Sequence, residues 1–409
     1  MPESPRIFIS TGELSGDFHA SHLVKAIRQK CPDAVFMGTG SHNMRDAGVE
    51  ILHDSSTWGN IGIWNNSQKF FRLIKKRLEI AKQLEELKPD LLIVIDFRVF
   101  HASLLRLVRN LDFPKLYYIA PVIWPGFYQI GLGKKYTDFL ARSKNKNTKS
   151  RFEALAEFAD KLIVAYPFGV KDYQDAGADV EFLGHPLMND VKTFKTKEQV
   201  FSELGLDSNT KLIGIFPGSR NHELKAHLPV LEEVIRQLRN KIDKVSFYIP
   251  LAHPDHKNII CRLLGDQSND VHFIDGDDYN IFNASDLAIS KTGTSVQILM
   301  ALGVPMVAFY TVVSSLWYNL SVRYLVHFDH IAFPNVLAGK RVVPEFIQND
   351  FKAEKIVESA LEILNDDAKR SEMKKTLLSL RDEIYRPDAL DRAADIALEM
   401  IDKYRRNKK

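Results

Sequence analysis

Short apolar runs alternate with amphipathic helical segments along nearly the whole chain of 409 residues. This order is typical of parallel sheets, because each parallel connection must return to the starting edge and usually does so through a helix. The pattern therefore predicts an α/β fold. Strands are predicted at residues 6–10, 34–37, 91–96, 115–121, 161–165, 180–183, 211–216, 245–251, 271–274, 287–290 and 304–309.

The chain is longer than the usual length of a domain with a single hydrophobic core, and its sequence pattern divides into two similar halves. Both halves open with a strand, a glycine-containing turn and a helix, so we predict two Rossmann-like domains. An N-terminal domain is predicted over residues 1–185, a second over 186–370 and C-terminal helices over 371–409. The domains join near Gly184-His185-Pro186, where the X-Pro bond favours extended backbone. We expect the last helix, from Asp388 on, to return to the first domain.

Charge and cysteine content limit the classes of function. Lys and Arg number 55 against 52 Asp and Glu, which supplies no reason to expect a nucleic acid as partner. Cys31 and Cys261 form no metal-ligand spacing and favour a reducing compartment. No signal-peptide pattern and no bilayer-spanning apolar run is found. We expect a cytoplasmic protein, with attachment to a membrane surface and assembly into a homo-oligomer both left open.

Two strand ends in the second half suit a phosphate group. The apolar run 213–216 ends in Pro217-Gly218-Ser219-Arg220, and a helical pattern follows over 222–238. Such a turn brings backbone N–H groups, the positive end of a helix and a guanidinium to one point, which suits a diphosphate. The turn Lys291-Thr292-Gly293-Thr294-Ser295 ends another strand in the same half. The two turns together predict one nucleotide diphosphate site.

Two strand ends in the first half carry polar residues. The first is Gly12-Glu13-Leu14-Ser15-Gly16-Asp17, whose glycines allow a ligand to approach the backbone closely. Alternatively, Ser15 or Asp17 only caps the following helix. Asp96 ends the apolar run 91–95, and apolar surroundings raise a carboxylate pKa towards the range that suits a general base. A helix cap is the alternative for Asp96 as well.

The segment 59–64, followed by 70–77, mixes apolar residues with cations and is typical of a membrane-surface contact. Alternatively, it belongs to an ordinary helix whose apolar stripe faces the core. That stripe would comprise Phe70, Leu73, Ile74, Leu78 and Ala81. It leaves four apolar residues without a role, namely Ile61, Ile63, Trp64 and Phe71.

Together these residues resemble lipid-A-disaccharide synthases, the glycosyltransferases that join two acylated glucosamine units in lipid A assembly. The resemblance covers nearly the whole chain and rests on motifs in both halves. These motifs are Gly12-Glu13-Leu14-Ser15-Gly16-Asp17, Leu87-Lys88-Pro89-Asp90, Ile95-Asp96, Ala120-Pro121-Val122-Ile123-Trp124, Phe182-Leu183-Gly184-His185-Pro186, Phe216-Pro217-Gly218-Ser219-Arg220 with Glu223, Thr292-Gly293-Thr294 and Phe333-Pro334-Asn335-Val336-Leu337-Ala338-Gly339.

The resemblance implies a GT-B fold, a UDP-sugar donor held by the C-terminal domain, and inversion without a bound metal or other cofactor. By its motifs, Asp96 would be the general base and Arg220 would neutralise the UDP diphosphate. Further residues that we assign to substrate binding are Gly12, Glu13, Ser15, Gly16, Asp17, Gly218, Ser219, Glu223, Gly293, Thr294 and Gln297. The family touches the membrane near Trp64, so Ile63, Trp64 and Phe71 are expected to contact the inner face of the inner membrane.

The implied reaction transfers 2,3-diacylglucosamine from UDP to the 6-hydroxyl of 2,3-diacylglucosamine 1-phosphate. Three departures from the family are visible. After Asp96 the family continues Ala-Pro-Asp-Phe-Asn, where this chain has Phe97-Arg98-Val99-Phe100-His101. The family's glutamate after Thr294 is missing, with Gln297 as a neighbouring substitute, and residues 126–147 form an insertion. Two alternatives therefore stay open: a GT-B transferase with another UDP-sugar or acceptor, and a non-catalytic relative that binds nucleotide or lipid.

Overall fold

Two parallel sheets organise the residues that the computed structural model describes, which are 4–56, 58, 67–122, 127–129, 151–276, 278–311 and 326–408. This architecture confirms the predicted α/β fold. The strands are β1 (Arg6–Ser10), β2 (Val35–Gly40), β3 (Glu50–Asp54), β4 (Leu91–Ile95), β5 (Lys115–Tyr118), β6 (Phe127–Gln129), β7 (Lys161–Val164), β8 (Val180–Phe182), β9 (Lys211–Phe216), β10 (Val245–Leu251), β11 (Val271–Asp275), β12 (Leu287–Lys291), β13 (Met306–Tyr310), β14 (Val326–Phe328) and β15 (Glu345–Ile347).

Helices join most of these strands, and two short 3₁₀ turns occur at Gly265–Ser268 and Gln348–Asp350. The helices are α1 (Leu14–Lys30), α2 (His42–Asp46), α3 (Ser67–Leu87), α4 (Arg98–Val108), α5 (Arg151–Phe158), α6 (Val170–Asp175), α7 (Leu187–Asp190), α8 (Lys197–Leu204), α9 (Asn221–Lys241), α10 (His256–Leu264), α11 (Tyr279–Ala284), α12 (Thr294–Leu302), α13 (Phe333–Ala338), α14 (Ala353–Asn365), α15 (Asp367–Ile384) and α16 (Ala389–Asn407).

Every predicted run overlaps a strand, and β1, β9 and β10 have the predicted bounds. Strands β3 and β15 were not predicted, because both lie at sheet edges and consist of half-buried or exposed residues. An edge strand has one neighbour and can leave part of its length exposed, so its residues need not form a continuous apolar run. The short pair β6 and β14, which is antiparallel, was also not predicted.

Contacts divide the chain into two compact units. The first comprises Met1–Ile123, Lys135–Asn189 and Ile384–Lys409, and the second comprises Trp124–Lys134 and Asp190–Glu383. The second unit thus includes most of α15. From Ile384 on, the chain belongs to the first unit again. The predicted domain boundaries after residues 185 and 370 stay predictions.

The sheet of the first unit has the order β3-β2-β1-β4-β5-β7-β8. Its central strand β4 is completely buried, with α1 and α16 in the apolar cluster on one face and α3, α4 and α5 in that on the other. Helix α16 contributes Ala393, Ala394 and Ala397, all fully buried, and small side chains let it lie close to α1. This packing confirms the expected return of the last helix to the first half of the chain.

The sheet of the second unit has the order β11-β10-β9-β12-β13-β15. Its two central strands β9 and β12 are parallel neighbours, with Phe216 opposite Ser290. Because parallel strands end at the same edge, the turns after β9 and β12 lie side by side there. The two turns are therefore neighbours, while their use as one diphosphate site stays a prediction.

The segment proposed to touch a membrane falls largely outside the described residues. Ile63 and Trp64 lie outside them, as do the side chain of Phe71 and nearly all of the insertion 126–147. The alternative core stripe is wrong at Leu78, which is 52% exposed, because α3 instead buries Ile80 and Leu84. No described helix is long and apolar enough to cross a bilayer.

Candidate active site

The turn after β4 has an unusual backbone. Asp96 and Phe97 both adopt the left-handed conformation, with φ angles of 48° and 47°. For residues with a Cβ this conformation costs about 1–2 kcal/mol each, so the surrounding structure must hold it in place. We call these two residues the Asp96 turn. Helix α4 begins directly after it, at Arg98.

Hydrogen bonds from two buried side chains hold the Asp96 turn through its main chain. The carbonyl oxygen of Asp96 accepts from the Tyr117 hydroxyl and from Nδ1 of His101, both at 2.8 Å. The Asp96 N–H donates to the carbonyl of Tyr118 at 3.2 Å. On the far side of the imidazole, Nε2 of His101 lies 3.0 Å from the hydroxyl of Ser10. The ends of β1, β4 and β5 are thus tied to one carbonyl group.

The protonation state of His101 follows from its surroundings. Its side chain is fully buried, and this burial lowers the pKa of His101 from 6.5 to about 4. The imidazole is therefore neutral near pH 7 and carries one proton. Because the Asp96 carbonyl can only accept, that proton lies on Nδ1, and Nε2 accepts from the Ser10 hydroxyl.

The carboxylate of Asp96 has a raised pKa. Desolvation by the surrounding protein is the largest cause, while the Arg98 guanidinium and the Phe97 N–H partly offset it. The side chain nevertheless reaches solvent. A carboxylate that is both accessible and held above its usual pKa suits proton abstraction from a bound hydroxyl group.

The glycine turn after β1 has a packing role that the sequence did not reveal. A Cβ at Gly12 would lie 2.0 Å from Cδ1 of Phe97, so the Phe97 ring occupies the space in which we expected a ligand. A Cβ at Gly16 would make only ordinary van der Waals contacts, the nearest of them with Thr11 at 3.4 Å. Ser15 is exposed and Glu13 is half-buried at the same turn.

Asp17 caps a helix other than its own. Its fully buried carboxylate accepts from the backbone N–H groups of Ser41, at 2.5 Å, and Asn43, at 3.0 Å. These groups open α2, and a carboxylate there stabilises the helix end. The capping alternative for α1 is wrong, since Glu13 is its N-cap and no side chain caps it. Both carboxylate oxygens of Asp17 thus stabilise the start of α2.

The turn after β9 is organised by Glu223. One oxygen of its buried carboxylate, Oε2, accepts from the N–H groups of Ser219, at 3.1 Å, and Arg220, at 3.3 Å. Gly218 has a φ of 110°, and a Cβ there would lie 2.5 Å from the same oxygen. Glu223 thus occupies two of the backbone N–H groups that the turn was expected to offer to a ligand.

The other oxygen of Glu223 holds two cations. Its Oε1 lies 3.0 Å from Nζ of Lys291 and 3.5 Å from Nη1 of Arg220. Burial alone would raise the pKa of Glu223, but Lys291 and Arg220 outweigh it and the pKa is lowered. Two positive groups thus meet one carboxylate, leaving an excess positive charge. We call Arg220, Glu223 and Lys291 the cation cluster.

Lys291 was named only as the first residue of its turn, without a role of its own, and His227 was not predicted as a site residue. Lys291 ends β12, and only the pairing of β12 with β9 places it beside Glu223. His227 lies one helical turn after Glu223, and its Nδ1 donates to the carbonyl of Pro217 at 2.6 Å. Burial lowers the pKa of His227, so a neutral imidazole supports the turn. The spacing of Glu223 and His227 on one helix was the available signal.

The turn after β12 brings the remaining predicted residues to this edge. Gly293 is the N-cap of α12 and is exposed, as is Thr294 in the first turn. A Cβ at Gly293 would lie 3.7 Å from Nζ of Lys291, so this helix start is adjacent to the cation cluster. Gln297 is half-buried one turn further on. Within the described ranges, no group of three His, Cys, Asp or Glu residues could hold a metal ion.

A family model described as lipid-A-disaccharide synthetase matches residues 7–140 and 146–399. The chain belongs to this family. Its curated relatives include the lipid-A-disaccharide synthases of Geobacter sulfurreducens, 33% identical with 98% of each chain covered, and Syntrophus aciditrophicus, 31% identical with 98% of this chain and 99% of the relative covered. The protein is accordingly a glycosyltransferase of lipid A biosynthesis.

Solved structures share the fold at low identity. The calicheamicin glycosyltransferase CalG4 superposes with a TM-score of 0.60 at 13% identity, covering 98% of this chain and 99% of that one. A UDP-GlcNAc 2-epimerase from Neisseria meningitidis, bound to UDP-GlcNAc, gives 0.57 at 15% identity, with 98% and 99% covered. The predicted GT-B type of fold is confirmed.

A pH experiment checks the neutral state of His101. Its folded pKa of about 4 lies below its ordinary 6.5, so acid favours the unfolded state, which binds the extra proton. Stability from this group is complete above pH 6.5 and is lost towards pH 4, by about 3 kcal/mol. The free energy of unfolding of the wild type should therefore fall relative to that of His101→Asn over this range. A constant difference in denaturant titrations would contradict a buried neutral imidazole.

Proposed function

We propose that this protein transfers 2,3-diacylglucosamine from its UDP donor to the 6-hydroxyl of 2,3-diacylglucosamine 1-phosphate, with inversion. The observation that carries the proposal is the accessible Asp96 carboxylate, whose pKa is raised and whose backbone carbonyl accepts hydrogen bonds from the buried side chains of His101 and Tyr117. Membership of the lipid-A-disaccharide synthase family supports the two substrates. The products are the lipid A disaccharide and UDP.

In this reaction Asp96 accepts the proton of the acceptor hydroxyl group. The resulting oxygen nucleophile attacks the anomeric carbon of the donor sugar while the bond to the UDP oxygen breaks. A single displacement of this kind inverts the configuration at that carbon. The electron pair of the broken bond stays on the diphosphate, so the charge on UDP increases as it leaves, and positive groups there lower the barrier.

The cation cluster and the start of α12 are proposed to receive the diphosphate. Arg220 is the more accessible cation, with 41% of its side chain exposed against 20% for Lys291. Glu223 holds both cations in place, and a helix N-terminus favours a negative ligand. The structural neighbour from Neisseria meningitidis is bound to UDP-GlcNAc, which supports a UDP-sugar as the ligand class for this fold.

Arg220→Ala should weaken UDP binding by about 10- to 100-fold, because a charge-assisted pair with a diphosphate contributes roughly 1.5–3 kcal/mol. Titration calorimetry with UDP measures the effect. The matched control is Arg236→Ala, which removes an exposed arginine that pairs with Glu233 on the same helix. Unchanged UDP affinity in a folded Arg220→Ala protein would remove Arg220 from the site.

Asp96→Asn should abolish turnover while UDP affinity stays close to that of the wild type, since an amide keeps the size but cannot accept the proton. Asp33→Asn, at an exposed turn of the same unit, is the control and should stay active. In the wild type, kcat/KM should fall in acid at a pH above 3.8, the ordinary pKa of aspartate, because the Asp96 pKa is raised. Near-normal turnover of folded Asp96→Asn would exclude it as the base.

We also propose that the protein is cytoplasmic and binds peripherally to the inner face of the inner membrane, where its acylated substrates reside. The exposed Arg72 and Lys75 of α3, beside the exposed Leu78, are consistent with contact to anionic lipid. The proposed anchors remain Ile63, Trp64 and Phe71.

Replacing Ile63, Trp64 and Phe71 by serine should reduce co-sedimentation with anionic vesicles and leave the melting temperature unchanged. Added salt should weaken vesicle binding by the wild type, because it screens the cations of α3. The control is Phe194→Ser, which removes an 84% exposed aromatic residue of the second unit and should bind vesicles normally. A large loss of thermal stability with normal vesicle binding would show that the three residues belong to the core.

A further inference from the structure

We infer that His101 is a positioning residue for Asp96, and that its Nδ1–H bond to the Asp96 carbonyl holds the general base in its reactive orientation. The inference rests on the proposed role of Asp96 in catalysis. His101 does not itself reach the reacting atoms, because it is fully buried and both of its ring nitrogens are engaged within the first unit.

The backbone at the turn makes such a residue necessary. Two consecutive residues with a Cβ, Asp96 and Phe97, are held in the left-handed region. The intrinsic preference of both residues opposes this conformation, so the turn would relax unless neighbouring groups fix it. A relaxed turn would swing the Asp96 side chain, because the direction of the Cα–Cβ bond depends on the backbone angles.

Two side-chain hydrogen bonds converge on one backbone atom of the turn. The carbonyl oxygen of Asp96 is the acceptor for both Tyr117 and His101, and the plane of that peptide group sets the angles on either side. The Tyr117 bond comes from β5 and the His101 bond from α4. His101 is in turn held by Ser10 at the end of β1. Three strand ends and the following helix therefore meet at a single imidazole.

The packing around the imidazole restricts its own movement. The rings of Phe97, Phe100 and Tyr117 contact it edge-to-face, with centroid distances of 5.9, 5.6 and 6.2 Å. A ring enclosed in this way cannot rotate to a second hydrogen-bonding arrangement without displacing its neighbours. The orientation of Nδ1 towards Asp96 is thus built into the core of the first unit.

Two amide substitutions distinguish the hydrogen bond made by Nδ1 of His101 from the one made by Nε2. In His101→Asn the side-chain amide takes the position of Nδ1 and can still donate to the Asp96 carbonyl, but it loses Ser10. In His101→Gln the longer amide takes the position of Nε2 and can still bond to Ser10, but it leaves the Asp96 carbonyl without this donor. Both variants are neutral and polar, and each breaks one of the two hydrogen bonds of His101.

We expect His101→Asn to keep kcat within about threefold of the wild type and His101→Gln to lose about 100-fold, the scale of a misplaced catalytic group. The donor KM and the UDP affinity measured by calorimetry should be unchanged in both, because the cation cluster lies in the second unit. Equal kcat values for the two folded variants would show that His101 only stabilises the core.

A titration that needs no turnover provides a second test. With ¹³C-labelled aspartate, and the Asp96 signal assigned from Asp96→Asn, the carboxyl pKa should stay raised in His101→Asn and return towards 3.8 in His101→Gln. A raised value in both variants would overturn the positioning role. If Asp96→Asn itself remains active, the proposed function fails, whereas loss of activity in Asp96→Asn together with equal activity of the two His101 variants overturns this inference alone.

Discussion

The parallel pairing of neighbouring central strands is the constraint on which both functional turns depend. Parallel strands end at the same edge of a sheet, so residues far apart in sequence become neighbours there. In the second unit, the pairing of β9 with β12 brings Lys291 to 3.0 Å from Glu223. In the first unit, the pairing of β1 with β4 places Phe97 against Gly12 and His101 against Ser10.

The surroundings shift the pKa values of two carboxylates at these edges in opposite directions. Glu223 is buried, yet Lys291 and Arg220 keep its pKa low and its charge in place. Asp96 reaches solvent, but its desolvation exceeds the effect of Arg98 and raises its pKa. When their environments move the pKa values of two carboxylates apart, the two groups can take different roles in one reaction. Glu223 thus organises cations that suit an anionic leaving group, while Asp96 is suited to take up a proton.

Much of the fold could be predicted from the sequence, because a strand buried on both faces must be apolar along its length. The runs that became β4, β9 and β12 carry this signal, whereas the edge strands β3 and β15 do not. The positions of Asp96 and Arg220 at strand ends were also readable. What could not be read was the use of individual side chains. Asp17 caps α2 through the N–H of Ser41, which lies 24 residues further along the chain, and no local pattern reveals such a partner.

The roles of His101 and Lys291 were missed for the same physical reason. Neither residue shows its partner in the local sequence, and each acquires its role only when sheet pairing brings it beside Ser10 or Glu223. The departure from the family motif after Asp96 therefore has a structural counterpart. Where the family carries Ala-Pro-Asp-Phe-Asn, this chain places a phenylalanine on Gly12 and a histidine under the Asp96 carbonyl, and the turn remains firmly held.

The most direct test of this account measures both products at once. Purified protein is incubated with UDP-2,3-diacylglucosamine, with and without 2,3-diacylglucosamine 1-phosphate; UDP and the disaccharide are quantified by mass spectrometry, and the anomeric configuration of the new bond is determined by NMR. A single displacement with Asp96 as the base predicts UDP release only when the acceptor is present, with one disaccharide formed for each UDP and the configuration at the donor carbon inverted. Release of UDP without the acceptor, or no disaccharide from folded protein, would contradict it.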